Sequence, residues 1–220
     1  MKSVLFFLCL VPLSFSAQRV SAFGGMTRNI FFDHLSKKYG SYISSYNDAT
    51  GFTAGLGIDS ALVDWLTMRF TFQFEQYSGH LDVSEGNKSG GTRTKAAVTK
   101  SIVSLGVFPI NIRILNRIKV NLGFDISVLA NDSFSGSESN WNYTGKATYY
   151  ILQEHYSKFS APLFLGLRGR IRYDIFVSEK ICLTPHYGFY FGGSGGFWQF
   201  PEKTRSIRHM VGIGIKKRTK

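Results

Sequence analysis

Cysteine, proline and charged residues are all scarce in this chain of 220 residues. It contains 2 cysteines and 5 prolines, and only 18% of its residues are charged. With 44% hydrophobic residues, so low a charged fraction excludes an intrinsically disordered chain. Beyond the N-terminal segment, the sequence also lacks a run of about 18 consecutive apolar residues, which excludes a helical membrane protein. The abundant residues are Gly (23), Phe (20) and Tyr (11), which favour short strands and turns over helices.

The N-terminus has the order of a secretory signal peptide. Met1 and Lys2 precede the apolar run from Val4 to Val11, and small residues follow at Ser21 and Ala22. This order predicts a cleaved leader over 1–22, with the cut after Ala22, and a barrel domain over 23–220. A buried N-terminal strand or an uncleaved anchor is the alternative.

Export and charge together suggest the neighbours of the chain. Loss of Cys9 with the leader leaves only Cys182, so no disulfide is expected. Loss of Lys2 and Arg19 leaves 24 basic against 14 acidic residues, a net charge of +10. This balance suits an anionic partner, and export favours lipid head groups over nucleic acid. A nucleic-acid partner is not expected, because the aromatic residues fall on the apolar positions of the strands.

The main structural signal is alternation of apolar and polar residues, sustained over the roughly 9–11 residues that a tilted membrane strand needs. It is clearest over 117–130, where the even positions from Ile118 to Val128 are apolar. Strands are predicted over 23–32, 51–60, 65–77, 98–108, 117–130, 157–170, 177–192 and 204–216. The first is proposed because a barrel must close, and Ile102 and Phe108 interrupt the alternation in the fourth. The predicted fold class is all-β, an eight-stranded antiparallel up-and-down transmembrane β-barrel.

Short and long connections alternate along the chain. The short ones are 61–64, 109–116 and 171–176, and the long ones are 33–50, 78–97, 131–156 and 193–203. Outer-membrane barrels place short turns at the periplasmic side and long loops outside. Two aromatic girdles are also predicted, with Phe52, Tyr77, Phe159, Phe191, Phe197 and Trp198 toward the long loops and Trp65, Tyr173 and Phe176 toward the short turns.

These segments resemble the outer-membrane β-barrel domains typical of Bacteroidota, the PorT-like proteins, and other eight-stranded barrels of the OmpA and OmpX type. The likeness is carried by Gly51–Ile58, the hairpin 101–130, Pro162–Arg168 and His209–Ile215. It covers most of the mature chain through pattern and glycine placement. Such barrels usually end in an aromatic residue, whereas here Ile215 is followed by a basic tail over 216–220. The resemblance implies a place in the outer membrane and a role in secretion or envelope biogenesis.

Eight strands enclose an interior that side chains can fill, so a wide diffusion pore is not expected. The inward positions predict a polar network in the lumen made of Arg69, Glu75, Lys119, Asp125, Arg168, Arg170, His186 and Arg208, with Lys180 on the same face. Glu75 and Asp125 are expected to pair with arginines, because an isolated buried charge is strongly disfavoured. This network is interpreted as a rigid plug, with a gated passage or an anion site as the alternative.

The sequence predicts no catalytic, cofactor or metal site. His80 and His155 lie near Ser78 and Ser157, but no spacing forces a nucleophile and a base together. The leading hypothesis is a non-enzymatic outer-membrane protein with a structural, surface-recognition or envelope-complex role. Its expected partners are outer-membrane lipids, lipopolysaccharide and a possible envelope or secretion-complex protein. The alternatives are a lipid hydrolase at the barrel rim and a soluble lipocalin-like barrel, in which the apolar positions would face inward.

Overall fold

The computed structural model describes residues 18–33, 42–46, 49–63, 66–87, 90–114, 117–142, 147–154, 162–192 and 204–217. Within these ranges the chain forms strands and the turns between them, and no helix there is long and apolar enough to cross a membrane. The strands are β1 (Gln18–Asp33), β2 (Tyr42–Tyr46), β3 (Ala49–Val63), β4 (Leu66–Asn87), β5 (Gly90–Arg113), β6 (Ile118–Asn142), β7 (Ala147–Glu154), β8 (Leu163–Tyr173), β9 (Ile175–Phe176), β10 (Ile181–Gly192) and β11 (Thr204–Lys217).

Eight of these strands form a closed antiparallel barrel. The order around it is β1, β3, β4, β5, β6, β8, β10 and β11, and each strand pairs with the next along this path. Pairing of β11 with β1, from Ser21 opposite Lys216 to Asp33 opposite Thr204, closes the ring. The predicted eight-stranded fold is therefore confirmed, and closure leaves no unpaired edge in the wall.

Alternation along each strand separates the two faces of the wall. Three rows of outward residues on β4, β5 and β6 are apolar, and we call them the apolar band: Phe70–Val107–Phe124, Phe72–Leu105–Ile126 and Phe74–Val103–Val128. Phe124 is 62% exposed and Leu165 on β8 is 48% exposed, whereas the inward Arg69 is 2% exposed. Such an arrangement is stable only where the outer solvent is lipid. The chain is a transmembrane barrel.

Ile102 and Phe108, which interrupt the polarity of the fourth predicted segment, keep the inward direction of their strand, and a β-bulge lies beside each of them. One extra residue of β5 between Val107 and Ile110 and one of β6 beside Ser101 and Ile102 shift the register. Ile102 and Phe108 both point inward, at 1% and 0% exposed. Phe108 fits because Gly123 lies opposite the first bulge, where a Cβ atom would come within 2.0 Å of the Val107 carbonyl oxygen.

Beyond the apolar band, three strands continue instead of giving way to loops. The predicted long connections 78–97 and 131–156 were wrong, since β4 runs to Asn87, β5 begins at Gly90 and β6 runs to Asn142. β2 pairs with the end of β4, and β7 pairs with the end of β6. The result, named here the projecting sheet, has the order β2–β4–β5–β6–β7 and consists of β2, β7 and the parts of β4, β5 and β6 beyond Gln76, Ser101 and Asn131.

Three further sequence-based placements differ from the structure. Tyr77, assigned to an aromatic girdle, is buried inside the barrel, where it packs with Ala49, Ile102 and Phe164 at the end nearest the projecting sheet. Lys180, assigned to the lumen, is exposed in the turn before β10, because that strand begins only at Ile181. The short connection predicted over 171–176 lies later, since β8 continues to Tyr173.

Several other girdle residues lie on the outer surface. Phe52, Phe191, Tyr173 and Phe176 are exposed there. Trp65, Phe159, Phe197 and Trp198 lie outside the described residues, as does the connection 193–203.

Candidate functional site

The lumen is dominated by buried charge. Its charged residues are Arg69, Lys100, Lys119, Arg168, Arg170, Arg172, Arg208 and Lys216, and Asp59, Glu75, Asp125, Asp132 and Asp174. Eight basic side chains thus face five acidic ones in the part of the barrel that the structure describes. Since a charge out of water must be paired or hydrogen bonded, the spacing of the acids decides which bases are neutralised.

Glu75 organises the layer of the lumen nearest the projecting sheet. Arg168 Nη2 donates to Glu75 Oε1 at 2.9 Å, and Arg208 Nη1 donates to Oε2. Arg168 Nε also lies 2.8 Å from Asp125 Oδ2, so this arginine joins two carboxylates from different strands. The Arg208 guanidinium stacks 3.8 Å above the centre of the Tyr190 ring. Four strands, β4, β6, β8 and β11, are therefore linked across the axis.

A second layer is built around Asp59, closer to the short turns. Arg69 Nη1 donates to Asp59 Oδ1 at 2.9 Å, and Arg172 Nη1 and Nη2 approach the same carboxylate at 3.4 Å. Arg69 Nη2 also donates to Ser21 Oγ at 2.9 Å. Gly57 makes room for that guanidinium, since a Cβ there would lie 2.1 Å from Arg69 Nη2.

The third layer closes the lumen at the short-turn end. Lys216 Nζ donates to Asp174 Oδ2 at 2.6 Å, and Lys119 Nζ lies 3.6 Å from the same oxygen. The sequence pattern makes Lys216 both the last residue of the predicted strand 204–216 and the first of a basic tail over 216–220. Its inward position on β11 makes it part of the lumen, while Lys217 is exposed.

Arg170 lies between the Glu75 and Asp59 layers without a carboxylate of its own. Among the described residues, no carboxylate oxygen is within ion-pair distance of it. Arg170 Nη2 donates to Gln73 Oε1 at 3.2 Å. The Arg170 guanidinium lies 4.3 Å from the centre of the Phe23 ring. The Phe23 ring packs edge-to-face against the His186 ring, with 5.8 Å between the ring centroids. A cation–π contact and one amide therefore replace a salt bridge.

These layers leave little open space. A cavity of about 10 Å³ beside Glu75, with Arg168, Tyr190 and Arg208 in its wall, has room for about one water. Side chains that span the axis and bind one another at three heights form a plug. These contacts link strands on opposite sides of the described part of the barrel.

The structure buries all eight residues of the predicted lumen network. Sequence reasoning missed Asp59, Lys100, Asp132, Arg172, Asp174 and Lys216, which are buried with them. Arg172 continues the alternation of Arg168 and Arg170, and was missed because the predicted strand stopped at 170. Asp174 follows the last residue of β8, where alternation ends, so no sequence signal marked it.

The residues weighed for catalysis do not form a site in the described part of the chain. His80 is exposed on the outer face of β4, and Ser78 Oγ is hydrogen bonded to Thr99 Oγ1 at 2.7 Å. His155 and Ser157 lie outside the described residues. No group of three His, Cys, Asp or Glu side chains in the described ranges is arranged to hold a metal ion.

The outer face of the projecting sheet carries a second set of polar residues. Its cross-strand rows are Ser78–Thr99–Ser133, His80–Ala97–Ser135 and Asp82–Lys95–Ser137, followed by Arg93–Ser139. Arg93 Nε and Nη2 bind the two oxygens of Asp82 at 2.9 and 2.8 Å, while Lys95 Nζ lies 3.8 Å from Oδ2. The hydrogen bond from Arg93 lowers the pKa of the Asp82 carboxyl, and the same contact raises the pKa of Arg93.

Comparison with known proteins finds no matching family model and no matching curated protein. Among solved structures, the chain is similar to Neisserial surface protein A, with 14% identity and a TM-score of 0.43 over 93% of this chain and 98% of that one. It is similar to OprG of Pseudomonas aeruginosa, with 14% identity and a TM-score of 0.44 over 93% and 98%. It is also similar to Ail of Yersinia pestis, with 10% identity and a TM-score of 0.41 over 91% of this chain and 99% of that one. Similarities at this level transfer no role or ligand to this chain.

Proposed function

We propose that this chain is a non-enzymatic outer-membrane protein that recognises an acidic polysaccharide at the cell surface through the outer face of its projecting sheet. The observation that carries the proposal is the change in outward residues along β4, β5 and β6. They are apolar up to the row Phe74–Val103–Val128, and beyond it every described outward residue of the cross-strand rows except Ala97 is polar. The membrane part anchors the chain, and the polar part stands in water.

The outer face has the chemistry of a carbohydrate-binding surface. Serine occupies every second position of β6 from Ser133 to Ser139 and points outward, beside Thr99 and Ser78. The backbone positions that carry these hydroxyls stand about 5 Å apart across strands and about 7 Å apart along them. Such a grid offers donors and acceptors to the hydroxyls of a sugar chain, while Arg93 and Lys95 against Asp82 favour acidic groups.

The plugged lumen supports a surface role over transport. Three ion-pair layers cross the axis, so the polar lumen network is assigned to rigidity. The soluble lipocalin-like alternative is wrong, because Leu122 and Leu165 face outward and the interior is charged. Catalysis at the rim has no supporting geometry within the described residues. Membership of a PorT-like envelope or secretion complex stays a prediction from the resemblance.

A pair of polymers with the same backbone tests the proposal. The full chain in lipid nanodiscs is titrated with dextran sulfate and with neutral dextran, and we expect binding of the sulfated polymer only. Replacing Arg93 and Lys95 by serine should weaken that binding by roughly 10-fold, equal to about 1.4 kcal/mol.

The matched control removes the same charge from the other end of the barrel. Arg113 and Arg117 are exposed beside a short turn, and their double replacement by serine should leave the affinity unchanged. Equal losses in both double variants would mean that net charge alone attracts the polymer. That result, or the absence of binding, would overturn the proposal.

A further inference from the structure

We infer that the leader is removed by hydrolysis of the Ser16–Ala17 peptide bond, six residues before the position expected from the sequence pattern alone. Residues 17–22 then stay in the mature protein, where 18–22 form the first part of β1. The inference rests on export to the outer membrane, as proposed above. The position of the cut is inferred from strand β1, which has to remain whole in the mature protein.

Strand β1 begins at Gln18 and is paired from its first residues. Gln18 lies opposite Ser60, and pairing with β3 continues without interruption through Ala22 opposite Leu56. On the other side, Ser21 and Ala22 lie opposite Lys216 and Ile215 of β11. Residues 18–22 are therefore part of the wall, and the last two join the strands that close it.

Their side chains follow the in-and-out pattern of the barrel. Ser21 is buried, and its Oγ donates to the Gly57 carbonyl oxygen at 3.2 Å while accepting from Arg69 at 2.9 Å. Val20 is 55% exposed on the lipid-facing side. Ser21 thus supports the arginine that holds Asp59, and its loss would remove a partner from a buried guanidinium.

A cut after Ala22 would leave the wall incomplete. Residues 56–60 of β3 and 215–216 of β11 would lose their partner strand over that length. In lipid a backbone group without a hydrogen bond is strongly disfavoured, which is why membrane barrels have no open edge. A mature chain that begins at Phe23 would carry such an edge at its short-turn end.

The sequence offers a better processing signal just upstream. Leader peptidases read small residues one and three positions before the cut, and Ser14-Phe15-Ser16 supplies serine at both. A cut after Ala22 places the larger, β-branched Val20 at the third position. Hydrolysis of the Ser16–Ala17 amide by one water gives a carboxylate on Ser16 and a new amino terminus on Ala17.

The first residue of the mature protein, isolated from cell envelopes, tests the position of the cut. The full chain, expressed in a Gram-negative host and purified from the outer-membrane fraction, is analysed by intact mass and by sequencing of its N-terminal peptide. We expect Ala17 as the first residue. Any other N-terminus, Phe23 included, overturns the inference.

Two single variants distinguish a cut after Ser16 from a cut after Ala22, whatever the yield of each variant. Ser16→Leu places a large residue directly before the inferred bond, so the leader should be retained. Ala22→Leu blocks a cut after residue 22, but Ala22 is exposed on the lipid-facing side, and we expect normal processing and normal heat-modifiable mobility. The opposite pattern, retention in Ala22→Leu and processing in Ser16→Leu, would contradict the inference.

The two proposals fail in distinguishable ways. A mature protein in the outer membrane that begins at Phe23 refutes the assigned bond and leaves the surface role standing. An uncut chain in the soluble fraction refutes export, and with it both proposals.

Discussion

The apolar band and the projecting sheet are built from the same three strands, yet they meet different solvents. In both, β4, β5 and β6 keep their antiparallel pairing, and their side chains point alternately inward and outward. Within one row the outward residues change from Phe74–Val103–Val128 to Gln76–Ser101–Asn131. Backbone hydrogen bonds between the strands form in lipid and in water alike, so the strands continue beyond the apolar band. The change from apolar to polar outward side chains marks the edge of the membrane.

The inward face shows the converse. Inside the band, inward residues are charged and bind one another, as around Glu75, whereas the corresponding face of the projecting sheet, beyond the buried Lys100 and Asp132, includes Ala96, Val98 and Gly136. A pair buried in the lumen has little access to water that could replace a lost partner. The Arg93–Asp82 pair is open to solvent, with side-chain exposures of 48% and 32%. Equal chemical changes should therefore have unequal effects in the two regions.

The largest difference is expected for loss of a carboxylate. Glu75→Gln leaves Arg168 and Arg208 with one buried carboxylate fewer and should lower the free energy of unfolding by about 3–5 kcal/mol. Asp82→Asn breaks an exposed pair and should cost about 0–1 kcal/mol. Urea unfolding in lipid vesicles, followed by heat-modifiable gel mobility, measures both. Similar losses in the two variants would show that the lumen pair is as hydrated as the exposed one.

A smaller difference is expected for a charge added to the outer face. Ile126→Arg places a guanidinium in the middle row of the apolar band and should destabilise the barrel by about 2–4 kcal/mol. Ser135→Arg makes the same addition on the same face of the same strand beyond the band, where the change should be about 0–1 kcal/mol. The same unfolding assay compares them. A cost at Ser135 equal to that at Ile126 would place the projecting sheet in lipid.

The smallest effect is the pH dependence of the Asp82–Arg93 pair. Because the folded pKa of Asp82 is lowered, the pair stabilises the hairpin above the unfolded pKa of about 3.8, and this contribution is lost as the pH falls through the lower folded value. NMR titration of the Asp82 carboxyl should give a midpoint below 3.8, and Arg93→Ser should return it toward that value. A midpoint at or above 3.8 in the unchanged protein would mean that the ion pair does not form.

Much of the barrel wall was predictable because lipid imposes a simple code. A strand between lipid and a polar lumen must alternate, so Ile118 to Val128 and Leu163 to Leu167 identify their own outer faces. Prediction failed where that constraint ends. The strands of the projecting sheet meet water on their outer face and have weak alternation, so 78–97 and 131–156 resemble loops in composition.

The polar character of the lumen was predictable from the sequence, but only part of its charged residues was. Arg168 and Arg170 were found because they alternate with Leu165 and Leu167, whereas Asp174 and Lys216 lie at strand ends, where a period of two carries no information. Ile102 and Phe108 keep the inward parity of β5 although they are apolar, whereas each bulge beside them is a property of two paired strands. No pattern along one strand reveals it.

The sequence by itself determined the polar nature of the interior and the face that most membrane strands turn to lipid, because alternation is a local property of the chain, while the eighth strand was predicted from the need for closure. Only the tertiary structure decided which acid neutralises which base, where the bulges lie, that three strands outrun the membrane, and that residues 18–22 complete the wall. These depend on register between strands far apart in sequence. Register is set by closure of the whole barrel, since a slip of one residue would turn every inward charge toward lipid.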